Sequence, residues 1–353
     1  MRVAGIVGGR TLPSARLRIV QHVDSLKDLD INVDVIYPAI SSFARPPYWP
    51  EHLSRYSAGP YFLAWEATKI ATRIPQVLSS RAYDVTWLNR QLYPRIPTFE
   101  FAINKPMILD VDDAIWLKRP LGTFQAKLNA KMAEVIIAGN SFIADWFSRY
   151  NSNIHVIPTA VDTTKFCPKK LDPKVEKTKF VIGWVGTHSN LKYLYSIEEA
   201  LTRFCKDHSD AQILVACDKR PRFSSVPQRQ LRFIQWSDAN EAYLIQEMDV
   251  GLMPLFDDDW CRGKCSMKML QYMACGVPVV VSPVGMNKTV LKMDDIGLAA
   301  RNDNDWLETL ETYYSDKTTL RKLHGANGRK IIENEFSAAI IAKRLAAIFH
   351  SIT

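Results

Sequence analysis

The chain has 353 residues, of which 47% are hydrophobic and 23% charged, and its formal net charge at pH 7 is +8. This length and balance predict two globular domains whose cores need no disulfide bonds or metal ions for stability. The positive charge permits binding of nucleic acid, anionic lipid or phosphorylated ligands but does not distinguish among them. No apolar stretch approaches a membrane span, and the apolar run at residues 1–9 is too short for a signal peptide, so the sequence predicts a cytoplasmic protein.

The chain opens with a strand, a helix and a second strand. Residues 3–7 are a buried apolar run before a glycine turn, residues 14–29 have apolar side chains at helical spacing, and residues 31–37 fit a strand. This βαβ order predicts a parallel sheet. Arg10 and Arg16 lie at the turn and the helix start, where they suit either a solvated basic face or an anionic ligand.

Residues 45–81 mix aromatic and basic side chains. Residues 46–50 form an aromatic, proline-rich loop, and residues 61–74 continue as a helix that carries Lys69 and Arg73. Such a mixture suits a membrane surface or a lipid-linked acceptor. Packing of the aromatic side chains against the next element explains the pattern equally well.

Acidic residues follow a predicted strand in the middle of this half. Asp110, Asp112 and Asp113 stand where parallel strands of open α/β sheets bind ligands, at the carboxyl end. The Asp-x-Asp pattern could hold a divalent metal, and it could equally cap the following helix. The strands predicted here are residues 84–88, 107–109, 135–138 and 155–157.

The composition changes at residues 162–179, which are rich in lysine and proline, as is typical of a linker between domains. A second alternating series follows, with a turn at Gly186, Thr187 and His188 after its first strand. The aspartates at 257–259 favour capping of a loop over metal binding. The predicted strands are residues 180–185, 213–216, 231–234 and 250–255, and the chain becomes mostly helical from 306 to 349.

One stretch has a clear start, body and end. Ser266 is a candidate N-cap, because its hydroxyl can accept from amides that the first turn leaves free. Residues 267–274 carry an apolar helical stripe, Gly276 suits a left-handed C-cap, and Pro278 prevents continuation of the helix. Residues 279–281 then fit a strand buried on both faces.

The chemistry of this stretch lies at the front of its helix. Gly263 lets the backbone approach a ligand, and Lys264 and Lys268 bring two cations to a helix N-terminus that already favours an anion. Gln271 lies one turn deeper on the same face as Lys268. A phosphate with hydroxyl groups behind it would fit this arrangement, whereas the alternative is a surface helix with ordinary lysines.

Several common site motifs are missing. The two glycine turns, at residues 8–10 and 183–186, lack the third glycine of a dinucleotide fingerprint, and the chain has neither a GxxxxGK[ST] run nor a GxSxG elbow. The six cysteines form no CxxC pair, which favours free thiols in a reducing compartment. Cys261 and Cys265 have no accompanying Cys or His pair for a metal. Charge is scattered, and no nucleic-acid recognition motif is visible.

In their order along the chain, these motifs resemble the retaining glycosyltransferases of family four. The resemblance implies an α/β chain of GT-B architecture, with two Rossmann-like domains whose parallel sheets face a central cleft. It implies an acceptor-binding domain at residues 1–165 and a nucleotide-sugar-binding domain at 166–334, with a helix at about 335–353 that could pack back on the first domain. The motifs that carry it are residues 14–18, 83–88, 109–116, 157–162, 182–187 and 263–287.

The resemblance also implies roles for individual residues. Lys192 matches the basic residue that meets the donor diphosphate, with Lys264 and Lys268 near the same charge. Gly263 and Gln271 stand where many members have the glutamates of an E-x7-E pattern that holds the ribose, so both acids are absent. The implied catalytic residues are Asp112, Asp113 and Lys268, and the implied donor-binding residues are Gly9, Arg16, Gly186, Thr187, His188, Lys192, Gly263, Lys264, Cys265, Ser266, Lys268 and Gln271.

The implied reaction moves a sugar, with retention, from a nucleotide-sugar donor to a glycan or glycolipid of the cell envelope. It needs no cofactor or metal, because side-chain cations stabilise the departing diphosphate, and the enzyme would work at the inner face of the membrane. One alternative is a metal-dependent GT-A transferase that uses Asp110 and Asp112 as ligands. The other is a non-catalytic nucleotide-sugar-binding partner protein, which the missing glutamates suggest.

Overall fold

The structure, a computed structural model, describes residues 1–47, 59–169, 178–316 and 319–352. The chain divides into two compact units, of which unit 1 comprises Met1–Ala160 with Ile341–Thr353 and unit 2 comprises Val161–Ile340. Most of the predicted loop at 46–50 and the middle of the predicted linker lie outside the described residues.

Unit 1 is built on a six-stranded sheet in which every recorded pairing is parallel. The strand order is β2-β1-β3-β4-β5-β6, so the predicted parallel sheet is confirmed. The strands are β1 (Arg2–Ile6), β2 (Asn32–Ile36), β3 (Val85–Asn89), β4 (Met107–Val111), β5 (Val135–Ala138) and β6 (Ile154–Val156). β3, β4 and β5 are buried along their whole length, as expected for a sheet covered on both faces.

The helices of unit 1 differ from the prediction at two places. The helix predicted at 14–29 is interrupted at Ile19, whose φ of −122° is not helical, and a short 3₁₀ turn, Val20–His22, separates its halves. Two β-branched residues meet at the break, which lowers the helix propensity there. The helices that lead up to β6 are α1 (Pro13–Arg18), α2 (Val23–Lys27), α3 (Gly59–Ala71), α4 (Ile74–Ser80), α5 (Gly122–Met132) and α6 (Ser141–Phe147). The helix predicted at 61–74 ends at Ala71, so Arg73 lies outside it, between α3 and α4.

Unit 2 carries a second six-stranded sheet, also with parallel pairings, in the order β12-β11-β10-β7-β8-β9. Its strands are β7 (Phe180–Gly186), β8 (Ala211–Cys217), β9 (Leu231–Gln235), β10 (Val250–Met253), β11 (Val279–Val281) and β12 (Gly297–Ala299). Its helices through β12 are α7 (Leu191–Tyr195), α8 (Glu198–Asp207), α9 (Glu241–Gln246), α10 (Asp259–Arg262), α11 (Met267–Ala274) and α12 (Met286–Leu291).

The C-terminal region is helical, as predicted. α13 (Asp303–Ser315) and α14 (Thr319–Ile331) belong to unit 2, and a π-helical turn, Ile332–Phe336, precedes α15 (Ala338–Ser351). α15 packs into unit 1, where Phe349 meets Trp87 edge to face with ring centroids 5.2 Å apart. None of the described helices is long and apolar enough to cross a bilayer.

Candidate functional site

The strand order of unit 2 defines where its sheet can bind a ligand. β7 and β10 are neighbours, and the chain continues outward from them in opposite directions, to β8 and β9 on one side and to β11 and β12 on the other. The loops after two such strands separate and leave a crevice at their carboxyl ends. The segments that follow β7 and β10 carry the predicted donor-binding residues of this unit.

A glycine at the end of β7 lets a lysine come close. A Cβ atom at Gly186 would lie 2.5 Å from the Trp184 ring and 2.8 Å from Cε of Lys268, so no larger residue fits without displacing one of them. The Lys268 Nζ lies 5.3 Å from the Trp184 ring centroid, within the range of a cation–π contact. Gly186 and Lys268, which lie 82 positions apart in the sequence, therefore meet at the end of β7.

Two further lysines share one tyrosine. Lys192 and Lys264 place their Nζ atoms 4.9 Å and 5.6 Å from the Tyr193 ring centroid. Lys264 also lies 5.6 Å from the Trp260 ring. The charge of Lys264 also reaches Lys268, whose pKa it helps to lower, so the three lysines lie close together. We call Lys192, Lys264 and Lys268 the lysine cluster.

The front of α11 differs from the predicted cap. Ser266 has a left-handed backbone (φ 51°), and its side chain makes no cap bond to the helix. Its hydroxyl instead lies 2.7 Å from Oδ1 of Asn287, to which it donates. The predicted N-cap role of the Ser266 hydroxyl is therefore wrong, because the left-handed backbone carries the hydroxyl into the core. The rest of the stretch is as predicted, since Gly276 has φ 69° and β11 spans 279–281.

Lys268 occupies an unfavourable electrostatic position in the protein alone. It is the second residue of α11, where the helix dipole is positive, and the first turn contains no acidic residue. Burial, together with the charge of Lys264, lowers the pKa of Lys268 to about 7. A bound anion would offset both costs, which is typical of residues selected for binding rather than for stability.

His188 is held by a residue that sequence reasoning missed. Its backbone N–H donates to Oδ1 of Asp218 at 2.5 Å, and its ring Nδ1 lies 2.5 Å from Oδ2 of the same carboxylate. Although partial burial opposes ionisation, the hydrogen bonds from His188 lower the pKa of Asp218. Asp218 directly follows β8, so its position at the carboxyl end of a predicted strand was the signal that could have identified it.

The remaining predicted donor-binding residues of unit 2 differ in exposure. Gln271 is buried at 4% exposure on α11, while Cys265 and Gly263 are buried just before that helix. Thr187 is exposed, and its hydroxyl bonds that of Ser189 at 3.0 Å. The six cysteines are free, as predicted.

The cysteines and aspartates near the lysine cluster have structural roles. Cys261 is buried and donates its S–H to the hydroxyl of Tyr193, and burial raises the pKa of its thiol. Asp258 caps α10 by accepting from the Cys261 amide, which confirms the predicted capping role of this acidic loop. Asp257 and Asp259 both bind Arg262.

In unit 1 the predicted acidic residues are held by arginines. Asp112 and Asp113 both bind Arg90, at 2.5 Å and 2.7 Å. Burial opposes ionisation of Asp112, but Arg90 outweighs it and lowers the pKa of that carboxyl. Asp110 is fully buried and pairs with Arg18 at 2.8 Å. Each of the three carboxylates therefore binds a guanidinium.

The other predicted residues of unit 1 lie on β1's turn and on α1. A Cβ atom at Gly9 would lie 2.4 Å from Oγ of Ser41, so packing against the loop after β2 is enough to require glycine there. Arg16 is partly buried on α1. Within the described ranges, no three His, Cys, Asp or Glu side chains converge as a metal site.

Comparisons with known proteins agree with this geometry. Residues 179–316 match the family model described as glycosyl transferases group 1. No curated protein matches the sequence. Sucrose-phosphate synthase from Thermosynechococcus elongatus has a similar structure at 15% identity (TM-score 0.67), with 99% of this chain and 98% of that chain covered.

Two further solved structures are similar over almost the full length. Anabaena HepE, in complex with UDP and glucose, is 13% identical (TM-score 0.69; 99% and 100% covered). WaaG, a glycosyltransferase involved in lipopolysaccharide biosynthesis, is 12% identical (TM-score 0.66; 99% of each chain covered). The predicted GT-B fold is confirmed, and the group 1 domain confirms the prediction of a transferase. The GT-A alternative is wrong, because the chain has two separate parallel sheets.

Proposed function

We propose that this glycosyltransferase moves a sugar from a nucleotide-sugar donor to a glycan or glycolipid acceptor, with retention, as the enzymes of family four do. The lysine cluster is the observation that carries the proposal. Its three cations lie at the crevice of the unit 2 sheet, inside the group 1 domain. HepE, whose fold is similar, was solved with UDP and glucose, which is consistent with a nucleotide sugar as donor here.

The cluster suits a leaving diphosphate. When the bond between the anomeric carbon and the phosphate oxygen breaks, the electron pair stays with that oxygen and negative charge grows on the diphosphate. Lys192, Lys264 and Lys268, with the uncapped amides of α11, stabilise this charge more than that of the intact donor. The acceptor oxygen then bonds to the anomeric carbon, and its proton passes to the departing diphosphate.

Two other groups of residues complete the proposed roles. Gln271 and the backbone at Gly263 would meet the ribose, and an amide can both accept from and donate to a hydroxyl. Asp112 and Asp113 are our candidates for the contribution of unit 1, since carboxylates that bind Arg90 can also accept from sugar or acceptor hydroxyls. These roles need no resident metal or cofactor, because the lysines supply the positive charge.

The surface of α3 and α4 supports a lipid-linked acceptor at the inner face of the membrane. Leu63 on α3 and Leu78 on α4 are 68% and 53% exposed. Lys69 on α3, Gln76 on α4 and Arg73 between the two helices are buried. A helix pair with apolar side chains outside and polar ones inside reverses the usual pattern, and such a surface suits contact with acyl chains. Leu63→Glu with Leu78→Glu should weaken co-sedimentation with anionic vesicles; unchanged co-sedimentation would contradict a lipid contact here.

A panel of nucleotide sugars tests the proposed reaction. We expect one donor to release its nucleoside diphosphate when a suitable acceptor is added, with turnover that persists in EDTA. Nuclear magnetic resonance of the product should show the donor's anomeric configuration. An inverted product would refute retention, and donor binding with no turnover on any acceptor would support the non-catalytic partner protein instead.

The matched variants are Lys268→Met, which removes a cation of the cluster, and Lys292→Met, which removes an exposed lysine of the same unit. Lys268→Met should lose at least about tenfold in turnover, because a hydrogen bond to a charged group contributes roughly 1.5–3 kcal/mol. Lys292→Met should behave as wild type. Equal activity of all three proteins would refute the role of the cluster.

A further inference from the structure

The contact between His188 and Asp218 is unusual for the rim of an anion site. Both donors of the histidine residue, its backbone N–H and its ring Nδ1, lie 2.5 Å from the two oxygens of one carboxylate. The two side chains remain accessible, at 50% and 39% of their surface. A contact this specific between half-exposed residues, 30 positions apart, fixes both the backbone and the ring of His188.

The charge of Asp218 makes a purely electrostatic role costly. The residue adds a negative charge at the same end of the sheet as the lysine cluster, where it opposes binding of any anion. Oδ1 accepts from the His188 backbone N–H and from the Cys217 thiol, while Oδ2 lies against the imidazole, so one carboxylate orients both the loop and the ring. With Nδ1 bonded to Asp218, Nε2 is the ring nitrogen left for a ligand.

The position of His188 relative to the cluster is also defined. His188 lies two positions after Gly186. The Lys268 side chain passes over Gly186, with its Cε 2.8 Å from where a Cβ atom of that residue would lie. His188 and Lys268 therefore approach the same strand end from the loop after β7 and from α11. An imidazole held there by Nδ1 would turn Nε2 toward the group that the lysines bind.

We propose that Asp218 is a positioning residue for His188, which donates Nε2–H to the diphosphate of the donor. Asp218 accepts at Nδ1 and so turns Nε2 outward, toward the ligand. This role rests on the proposed nucleotide-sugar function of the same site. Asp218 acts through His188 and has no contact of its own with the ligand.

The test is calorimetric binding of UDP, GDP and ADP to the full chain and to four variants. Asp218→Asn and His188→Gln should each weaken the tightest of these ligands about tenfold. Charge alone predicts the opposite sign for Asp218→Asn, because that change removes a negative charge beside an anion. Asp238→Asn, which removes an exposed carboxylate of the same unit, is the matched control and should change affinity less than twofold.

The double variant separates a role through the ring from a role through the loop. In the His188→Gln background, Asp218→Asn should cost less than twofold, since the ring through which it acts is gone. A further tenfold loss there would show that Asp218 only supports the backbone amide and would overturn the proposal. Tighter or unchanged binding in Asp218→Asn alone would also overturn it.

Two controls keep the outcomes distinct. With ¹⁵N-labelled histidine, the Nδ1-bound proton that disappears in His188→Gln should also disappear in Asp218→Asn while the melting temperature is kept. Persistence of that signal in Asp218→Asn would refute the positioning role. If the folded wild type binds none of the three nucleoside diphosphates, the proposed function itself fails. If Asp218→Asn and His188→Gln both bind as tightly as the wild type, only the role of this pair fails.

Discussion

Lys268 offers the sharpest test of the donor site, because its charge is predicted to depend on pH. Burial and the charge of Lys264 lower the pKa of Lys268 to about 7, so the free protein loses this cation as the pH rises above that value. A bound diphosphate favours the charged form. Diphosphate affinity that depends on Lys268 should therefore be high below pH 7 and should fall above it.

The magnitude follows from the contact. If the ion pair with a phosphate oxygen contributes about 2 kcal/mol, Lys268→Met should weaken UDP binding roughly 30-fold at pH 6. Because only about a tenth of Lys268 is charged in the free protein at pH 8, the ratio of dissociation constants, variant over wild type, should fall to roughly 4. Taking this ratio at each pH cancels the titration of UDP itself.

Isothermal titration calorimetry of both proteins between pH 6 and pH 9 gives the ratio directly. Lys292→Met, which changes an exposed lysine of the same unit, should give a ratio near one throughout. A ratio for Lys268→Met that stays constant across this range would show that Lys268 is not the titrating cation. A ratio near one at pH 6 would remove Lys268 from the diphosphate site.

Three further changes test other features. Asp110→Ala removes the carboxylate that pairs with the buried Arg18 and should cost about 3–5 kcal/mol in urea unfolding. A loss below about 1 kcal/mol would contradict a structural role for the pair. Gly186→Ala should weaken UDP binding about tenfold by displacing the groups packed on it; wild-type affinity in the folded variant would show that this space is not needed. Ser266→Ala loses the hydrogen bond to Asn287 but keeps the left-handed backbone, whereas Ser266→Gly relieves that backbone. Thermal unfolding should therefore find Ser266→Ala about 1 kcal/mol less stable than Ser266→Gly. The reverse order would refute strain at this position.

Strands and the main helix of the site were predictable because local pattern determines them. The run at 279–281 is β-branched and apolar, and its observed bounds are the same. The helix before it begins at Met267 and ends at Ala274, because Gly276 adopts the left-handed conformation that a C-cap requires and Pro278 follows. Spacing and turn chemistry carry this information within one short window.

Contacts between distant residues were not predictable in the same way. The bond between His188 and Asp218 joins two loops that only the pairing of β7 with β8 brings together. Arg90 reaches the aspartates after β4 in the same way, across neighbouring strands. The Ser266 hydroxyl bonds to Asn287, which lies 21 positions later. No local periodicity encodes such pairs, so a candidate N-cap and a candidate metal ligand were assigned from residue type alone.

Unit 1 is assembled from both ends of the chain, and this has a consequence for its synthesis. α15 supplies Leu345 and Phe349, which are 1% and 0% exposed, to a unit whose other residues end at Ala160. On the ribosome, we expect the amino-terminal sheet to complete its core only after α15 emerges, while the continuous unit 2 can fold first. A nascent chain stalled before α15 emerges should therefore resist proteolysis in unit 2 and remain cleavable in unit 1.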